Sequence, residues 1–321
     1  MITRETLRGV HAAVPIPWDD AGELMEATFR DDVGRLCDSG VQGLYTTGTT
    51  GEFYALDFDE FRRIVDAFAA ETRNSRVLTQ VGCTAINNRE AMKRAAYAAS
   101  KGIHGIQVAL PFWMPLTDWE VVAFFKDIHA TSGLPIVHYN TGRSERVLGP
   151  REYALIASDV PALVGTKLAG GDFSAVSAVL IEVPELAHFV GETVLAPALM
   201  LGAKGTYSSI ALMDPGLVLT LYDACEAGVW SEVAALQRSV TKFVVEALYP
   251  LLEDGYWDAA IDKAMIAATG FLACPPAVRK PYREVPAEKI AALRAYVERN
   301  LPRSIRAPGM DTEPSADVPR H

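Results

Sequence analysis

The feature of this sequence that most restricts its fold is a regular alternation of short β-branched runs with longer amphipathic stretches. Helical patterns such as Asp57–Thr72 and Asp118–Ala130 separate the runs, with apolar residues recurring at helical spacing. This alternation predicts right-handed crossovers and a parallel sheet. The eight predicted strands are Gly9–Pro15, Gly43–Thr47, Val77–Gly82, Gly105–Leu110, Pro135–Tyr139, Leu163–Leu168, Ala187–Gly191 and Gly205–Ile210.

Eight strand–helix units favour closure into a (β/α)8 TIM barrel, an α/β fold, over the alternative of an open doubly wound sheet. Such a barrel fills about 250 residues as one domain. Three more helical patterns follow the last unit: Ser231–Leu252, Trp257–Gly270 and Pro286–Asn300. The predicted organisation is a barrel, a C-terminal three-helix extension and a polar, proline-rich flexible tail, at residues 1–230, 231–301 and 302–321.

Composition excludes several classes of partner. A formal net charge of −10 argues against nucleic acid, since a phosphate backbone attracts basic surfaces. Apolar runs are too short to cross a membrane, and the first residues lack the apolar stretch of a signal peptide. The four cysteines form no C-x-x-C pair and the histidines are scattered. We therefore expect a soluble, cytoplasmic protein with reduced thiols and no metal site.

Lys167 is the strongest candidate for covalent chemistry, because reactive groups of barrel enzymes lie at the C-terminal ends of strands. It ends the sixth predicted strand inside an otherwise apolar run. Burying an unpaired ammonium is costly, so we expect an uncharged amine that can attack a ketone and form a Schiff base. The alternative is a lysine that reaches solvent or pairs with a carboxylate. Lys204 precedes the eighth strand and Lys263 lies in the extension, so both are interpreted as structural.

Tyr139 ends the fifth predicted strand, so it can face the same space as Lys167. Its hydroxyl is suited to relaying protons, although a tyrosine there could simply fill the barrel. His138 precedes it and is expected to point outward. Arg143 follows in the same loop and either binds a substrate carboxylate or pairs at the surface with an acid such as Glu145.

Threonines and glycines follow the second predicted strand in the run Thr46–Glu52. Glycine lets the backbone approach a ligand closely, and clustered N–H and hydroxyl groups suit a carboxylate. The run does not end in G-K-[ST], so it is not a phosphate-binding P-loop. A plain strand-to-helix turn explains the same residues equally well.

These motifs resemble those of the dihydrodipicolinate synthase / N-acetylneuraminate lyase family in order and spacing, from about Gly9 to Asn300. The matching pieces are Gly48-Thr49-Thr50-Gly51-Glu52, Tyr139-Asn140 and Val164-Gly165-Thr166-Lys167. The resemblance implies a class I mechanism without metal or other cofactor, in which Lys167 forms an imine with pyruvate or another 2-oxo acid. Thr49 and Thr50 would hold the carboxylate, mainly through backbone N–H groups. Tyr139, linked to Thr49, would move protons.

The resemblance also implies that Tyr207 and Ser208 line the site and that the protein forms a homo-oligomer, a tetramer or a dimer. The chain departs from the synthase pattern in three places. Pro111-Phe112-Trp113 stands where synthases carry a tyrosine pair, so their relay of phenols is missing. The loop before Arg143 looks one residue shorter, and Tyr207 replaces a small aliphatic residue. Phe112 and Trp113 suggest an apolar wall and a less polar aldehyde, as in hydratase-aldolases.

The sequence therefore predicts a pyruvate-dependent lyase that makes or breaks a carbon–carbon bond with an aldehyde. The alternatives within the family are a sugar-acid dehydratase and a 4-hydroxy-tetrahydrodipicolinate synthase, the latter disfavoured by the missing phenol. An alternative of another class is a non-catalytic barrel that binds a 2-oxo acid. The presence of Lys167, Tyr139 and Thr49 together argues against it.

Overall fold

A computed structural model describes residues 1–301, and its centre is a closed barrel of eight parallel strands in chain order. The predicted fold is therefore confirmed. The strands are β1 Gly9–Ala13, β2 Gly43–Thr46, β3 Leu78–Gly82, β4 Gly105–Val108, β5 Ile136–Asn140, β6 Leu163–Leu168, β7 Ala187–Val190 and β8 Gly205–Ser208. The helices that follow them are α1 Glu26–Asp38, α2 Phe58–Thr72, α3 Asn88–Ser100, α4 Asp118–Ser132, α5 Pro150–Asp159, α6 Phe173–Glu182, α7 Leu195–Met200 and α8 Pro215–Glu226.

The strands β7 and β8 end earlier than predicted, because a short helical turn begins within two residues of each at the C-terminal mouth of the barrel. The eighth predicted strand was expected to reach Ile210 but ends at Ser208, since Ile210–Leu212 forms a 3₁₀ turn. A similar turn, Gly142–Ser144, follows β5. These turns aim the residues that follow a strand over the mouth instead of extending the ladder.

Alternation along the strands separates two apolar layers. Side chains from several strands fill the barrel interior, among them Tyr45, Val137, Phe189 and Tyr207. A larger cluster packs the outside of the strands against the helices. His138 belongs to this outer layer, as predicted. Its Nδ1 lies 2.7 Å from the Tyr153 hydroxyl.

The helices after the barrel are α9 Trp230–Phe243, α10 Tyr249–Glu253, α11 Asp258–Thr269 and α12 Ala287–Asn300. The first predicted helix of this region, Ser231–Leu252, is interrupted by a π-helical turn at Val244–Leu248. The wider turn directly precedes Pro250, whose ring cannot donate a backbone hydrogen bond to the preceding turn. Nearly all of α11 is buried, which makes it part of the core. The predicted tail, 302–321, lies outside the described residues.

None of the helices in residues 1–301 is long and apolar enough to cross a membrane.

Candidate active site

Lys167 and Tyr139 meet at the C-terminal mouth of the barrel. They are register partners on the neighbouring strands β6 and β5. The Lys167 Nζ lies 4.4 Å from the centroid of the Tyr139 ring and 5.7 Å from that of Tyr207. Among the described residues, no carboxylate oxygen lies within ion-pair distance of that nitrogen. The amine is therefore half-buried among phenol rings, with no fixed anion to hold its proton.

Two further tyrosines support this pair from inside the barrel. The Tyr207 hydroxyl donates to Gln80 Oε1 at 2.7 Å, which fixes the ring beneath Lys167. Tyr45 packs edge to face against Tyr207, with 5.8 Å between ring centroids. Burial holds the pKa of both phenols above the ordinary value, so both hydroxyls stay protonated at neutral pH. The sequence analysis did not identify Tyr45, although the alternation of side chains along β2 places it on the inward face of the barrel.

The loop after β2 passes directly over Tyr45. A Cβ on Gly48 would overlap the Tyr45 ring and hydroxyl, so only glycine fits there. Thr47 and Glu52 have φ angles of 53° and 49°, left-handed values that are uncommon for residues with a side chain. Thr47 is held by its hydroxyl, which donates to the Gly82 carbonyl at 3.0 Å. This loop is therefore built to an unusual shape and fixed in it.

Helix α11 anchors the same loop through two consecutive side chains. The Thr50 hydroxyl donates to Asp262 Oδ2 at 2.6 Å, so it faces α11. Lys263 Nζ lies 2.6 Å from Glu52 Oε1, and neither side chain is exposed. Lys263 was predicted to be structural, and its position agrees. The detectable signal was the charged pair Asp262-Lys263 inside an apolar helix, but its partners lie more than two hundred residues earlier.

Glu52 has every oxygen occupied. Besides Lys263, Oε1 accepts from the Trp18 indole N–H at 2.8 Å, and Oε2 accepts from the Arg279 backbone N–H at 2.9 Å. Lys263 also donates to the Ala277 carbonyl at 2.6 Å. A buried ion pair is tolerated only when hydrogen bonds of this kind satisfy both groups.

Lys263→Met should destabilise the protein by about 3–5 kcal/mol, because it leaves the Glu52 carboxylate buried without its partner. The free energy of unfolding from urea titration measures this. Lys289→Met is the matched control. It breaks an exposed 2.6 Å pair with Asp254, which solvent screens, and should leave the free energy of unfolding nearly unchanged. Equal losses in the two variants would contradict the importance of the buried pair.

Asp262→Asn should change how stability depends on pH. Burial raises the pKa of Asp262 to about 7 from an ordinary 3.8, while the Thr50 hydrogen bond opposes the rise. The folded protein therefore binds this proton more tightly than the unfolded chain. As a result, the contribution of Asp262 to the free energy of unfolding falls as pH rises from its ordinary pKa to its raised pKa. Relative to wild type, the variant should gain about 2 kcal/mol between pH 5 and pH 8. A difference that does not vary with pH would show that Asp262 is ionised throughout.

A cavity of 360 Å³ opens beside Tyr139. Thr49, Tyr139, Arg143 and Asp258 contribute polar atoms to its wall. Aromatic rings form much of the remainder: Phe53, Tyr54, Phe112, Trp257 and Tyr282. The rings of Tyr54 and Tyr282 meet edge to face at 5.0 Å between centroids. A larger groove of 660 Å³ lies on the outer helices and contains none of these residues.

The structure brings some of the predicted site residues together and separates others. Thr49, Tyr139 and Arg143 line the cavity, and Lys167 lies beside the rings of Tyr139 and Tyr207. Trp113 is 74% exposed and does not line the cavity, whereas its neighbour Phe112 does. Buried Ser208 donates to Glu192 at 2.7 Å and is also absent from the cavity wall. The predicted partner of Arg143 at the surface was Glu145, but the partner is Asp258, at 2.6 Å.

Several cavity residues escaped sequence reasoning because they come from distant parts of the chain. Trp257, Asp258 and Tyr282 belong to the region after the barrel, and Tyr54 follows the loop after β2. The only sequence signal was the grouping of Tyr256, Trp257 and Asp258 at a predicted helix start. Among residues 1–301, no three His, Cys, Asp or Glu side chains are grouped as metal ligands.

A parallel barrel with a lysine and a tyrosine side by side at its C-terminal mouth defines an enzyme of the β/α-barrel class, in which that face carries the chemistry. Residues 6–300 match the model of the dihydrodipicolinate synthetase family, and this chain belongs to that family. It is a carbon–carbon lyase of the aldolase type.

Similar proteins span almost the whole chain. An uncharacterized DapA-like lyase of Halobacterium salinarum is 31% identical over 89% of this chain and 93% of its own length. A trans-2'-carboxybenzalpyruvate hydratase-aldolase of a Nocardioides species is 24% identical over 89% of this chain and 90% of its own. A dihydrodipicolinic acid synthase family protein of E. coli K12, solved with pyruvate, superposes with a TM-score of 0.82 at 19% identity, over 91% and 98% of the two chains.

Proposed function

We propose that Lys167 forms an imine with pyruvate and that the enamine derived from it adds to an aldehyde. In the reverse direction, cleavage of the carbon–carbon bond releases the aldehyde and leaves the same enamine. The observation that carries this proposal is the Lys167 amine 4.4 Å from the Tyr139 ring centroid, without a carboxylate partner among the described residues. The primary amine of a lysine is the group that forms imines with ketones. Lys204 and Lys263 are poorer candidates, because one is exposed and the other is bound to Glu52.

The steps follow from the chemistry of an amine and a ketone. The Lys167 nitrogen adds to the keto carbon of pyruvate, and the carbinolamine loses water to give the imine. Loss of a proton from the methyl carbon gives an enamine, which bonds to the aldehyde carbon while the aldehyde oxygen takes up a proton. Water then releases the 4-hydroxy-2-oxo acid and regenerates the amine. Cleavage runs through the same steps in reverse, and the imine makes a metal or organic cofactor unnecessary.

In this mechanism the Tyr139 hydroxyl carries the protons. Tyr139 is the register partner of Lys167 on the neighbouring strand, and its side chain lines the cavity. Backbone N–H groups of the loop at Gly48, Thr49 and Thr50 hold the pyruvate carboxylate. Support for this role comes from the fixed, left-handed shape of the loop and from its attachment to α11. The Thr50 hydroxyl contributes indirectly, by holding the loop to Asp262.

We further propose that the aldehyde partner is aromatic. Seven aromatic side chains, Tyr45 and Tyr139 among them, line the 360 Å³ cavity, and burying an aromatic side of the substrate against them is favourable. A relative is named for trans-2'-carboxybenzalpyruvate, a compound that joins an aromatic ring bearing a carboxyl group to a pyruvyl group. The wall that sequence reasoning assigned to Phe112 and Trp113 is formed by Phe112 together with rings from other segments.

We also propose that the protein is a cytoplasmic homo-oligomer, a tetramer or a dimer. Trp113, Met114 and Trp119 are 74%, 70% and 76% exposed in one short stretch after β4. Exposed apolar groups clustered in this way are typical of surfaces that a second subunit covers. The four cysteines are unpaired, which suits a reducing compartment.

Borohydride trapping tests the imine directly. The protein is incubated with pyruvate, reduced with borohydride, weighed intact and then mapped by peptide mass spectrometry. We expect one reduced pyruvyl group per chain, on the peptide that contains Lys167. Failure to find any adduct, or an adduct on another lysine, would refute the proposal. A panel of aldehydes then tests the partner, and activity with aspartate semialdehyde alone would refute an aromatic one.

A further inference from the structure

The one cation in the wall of the 360 Å³ cavity is already paired. Arg143 Nη1 donates to Asp258 Oδ2 at 2.6 Å. Arg143 is placed by the 3₁₀ turn Gly142–Ser144 after β5, and Asp258 is the first residue of α11. The pair therefore bridges the barrel mouth and the region after the barrel, within the wall of the cavity.

Asp258 is a competitor for any carboxylate that a substrate brings to Arg143. A carboxylate in the first turn of a helix is stabilised by the unpaired N–H groups and the helix dipole. Asp258 occupies that position on α11. A substrate acid would have to displace it or share one guanidinium with it, which places two like charges close together.

The residues that line this cavity otherwise carry no charge, so the Arg143–Asp258 pair leaves it close to neutral. Both members of the pair are partly exposed, at 51% and 34%, so solvent screens their charges. Discrimination against a charged aldehyde should therefore be moderate in size, while the aromatic rings provide the attraction.

We infer that Asp258 is a specificity-determining residue, which occupies Arg143 and makes the site select uncharged aromatic aldehydes over aromatic aldehydes that carry a carboxylate. The inference rests on the proposed function, since it concerns the second substrate of the same imine. It assigns the acid a role distinct from fold stability, because its effect depends on the charge of the substrate.

The test compares two aldehydes of similar shape in the pyruvate condensation: 4-carboxybenzaldehyde and its methyl ester. The readout is the ratio of their kcat/KM values, ester over acid. For the wild-type protein we expect a ratio of about 10 or more. Asp258→Asn should lower the ratio by about 10-fold to 100-fold, because it frees Arg143 for a charge-assisted hydrogen bond with the substrate acid.

Two variants serve as controls. Asp254→Asn removes an acid that pairs with Lys289 at the same 2.6 Å outside the cavity, so the ratio should stay at the wild-type value. Adding Arg143→Gln to Asp258→Asn should restore a high ratio, because the freed cation is then gone.

A wild-type preference for the acid would overturn the inference, whatever the variants do. So would a folded Asp258→Asn protein with an unchanged ratio. Borohydride trapping with pyruvate is run on the same samples to separate the two proposals. If adducts form on Lys167 but the ratios fail, the specificity role is wrong and the imine stands; if no adduct forms, the proposed function itself fails.

Discussion

Lys167→Ala should abolish the borohydride-trapped adduct and lower turnover by at least about 10⁴-fold, since losing a covalent nucleophile costs about 10⁶ in a well-studied protease. Lys167 is the amine that adjoins Tyr139 in the described residues. Steady-state kinetics in the cleavage direction, with product aldehyde followed by absorbance, measures the loss. Circular dichroism and thermal unfolding establish that the variant is folded.

Lys167→Arg separates charge from nucleophilicity, because a guanidinium stays charged and cannot form the imine. It should be as inactive as the alanine variant. Lys204→Ala is the matched control, since Lys204 is an exposed lysine before β8, at the opposite end of the barrel. It should keep wild-type activity. Residual trapping in Lys167→Ala, or activity in Lys167→Arg, would move the covalent role to another residue.

Tyr139→Phe should lower turnover by about 10²-fold to 10⁴-fold, the usual contribution of a positioned acid–base group. The variant keeps the aromatic ring, and with it the 4.4 Å contact to the Lys167 amine. Loss of activity would therefore report on the hydroxyl. We expect the rate of imine trapping and the turnover number to fall together, because both need proton transfer near the amine.

Tyr97→Phe is the control for removing a phenol hydroxyl, since Tyr97 lies on α3 and bonds Asp66 far from the cavity. It should leave turnover unchanged. If Tyr139→Phe also retains wild-type turnover, Tyr139 is a packing residue that fills the barrel mouth, and another group or water must carry the protons.

The barrel was predictable because its signal is local and repeated. A short β-branched run predicts each strand, and the spacing of apolar residues predicts each helix. The strand β6 was predicted with the same bounds that it has in the structure. The strand ends were less predictable. Whether Ile210 extends β8 or begins a 3₁₀ turn depends on Glu192, which accepts hydrogen bonds from the backbone at Ser209 and Ile210.

The site residues also fall into those that local sequence patterns predict and those that they do not. Lys167 and Tyr139 could be identified because adjacent parallel strands bring their C-terminal ends together. Asp258 and Tyr282 could not be identified, because the spacing of apolar residues predicts a helix but not the loop that the helix will contact. The acid that pairs with Arg143 could not be identified either: Glu145 was named as an example of a nearby partner, while the ion pair in the structure is with Asp258, over a hundred residues away.

Because α11 holds the Gly48–Glu52 loop in place, the barrel of this enzyme depends on a helix that follows it in the chain. Truncating the chain after α8 would strip Glu52 of its ammonium and Thr50 of its acceptor, in a region that water does not reach. The minimal functional module is therefore larger than the eight-fold repeat. A transplanted barrel should therefore be accompanied by α11.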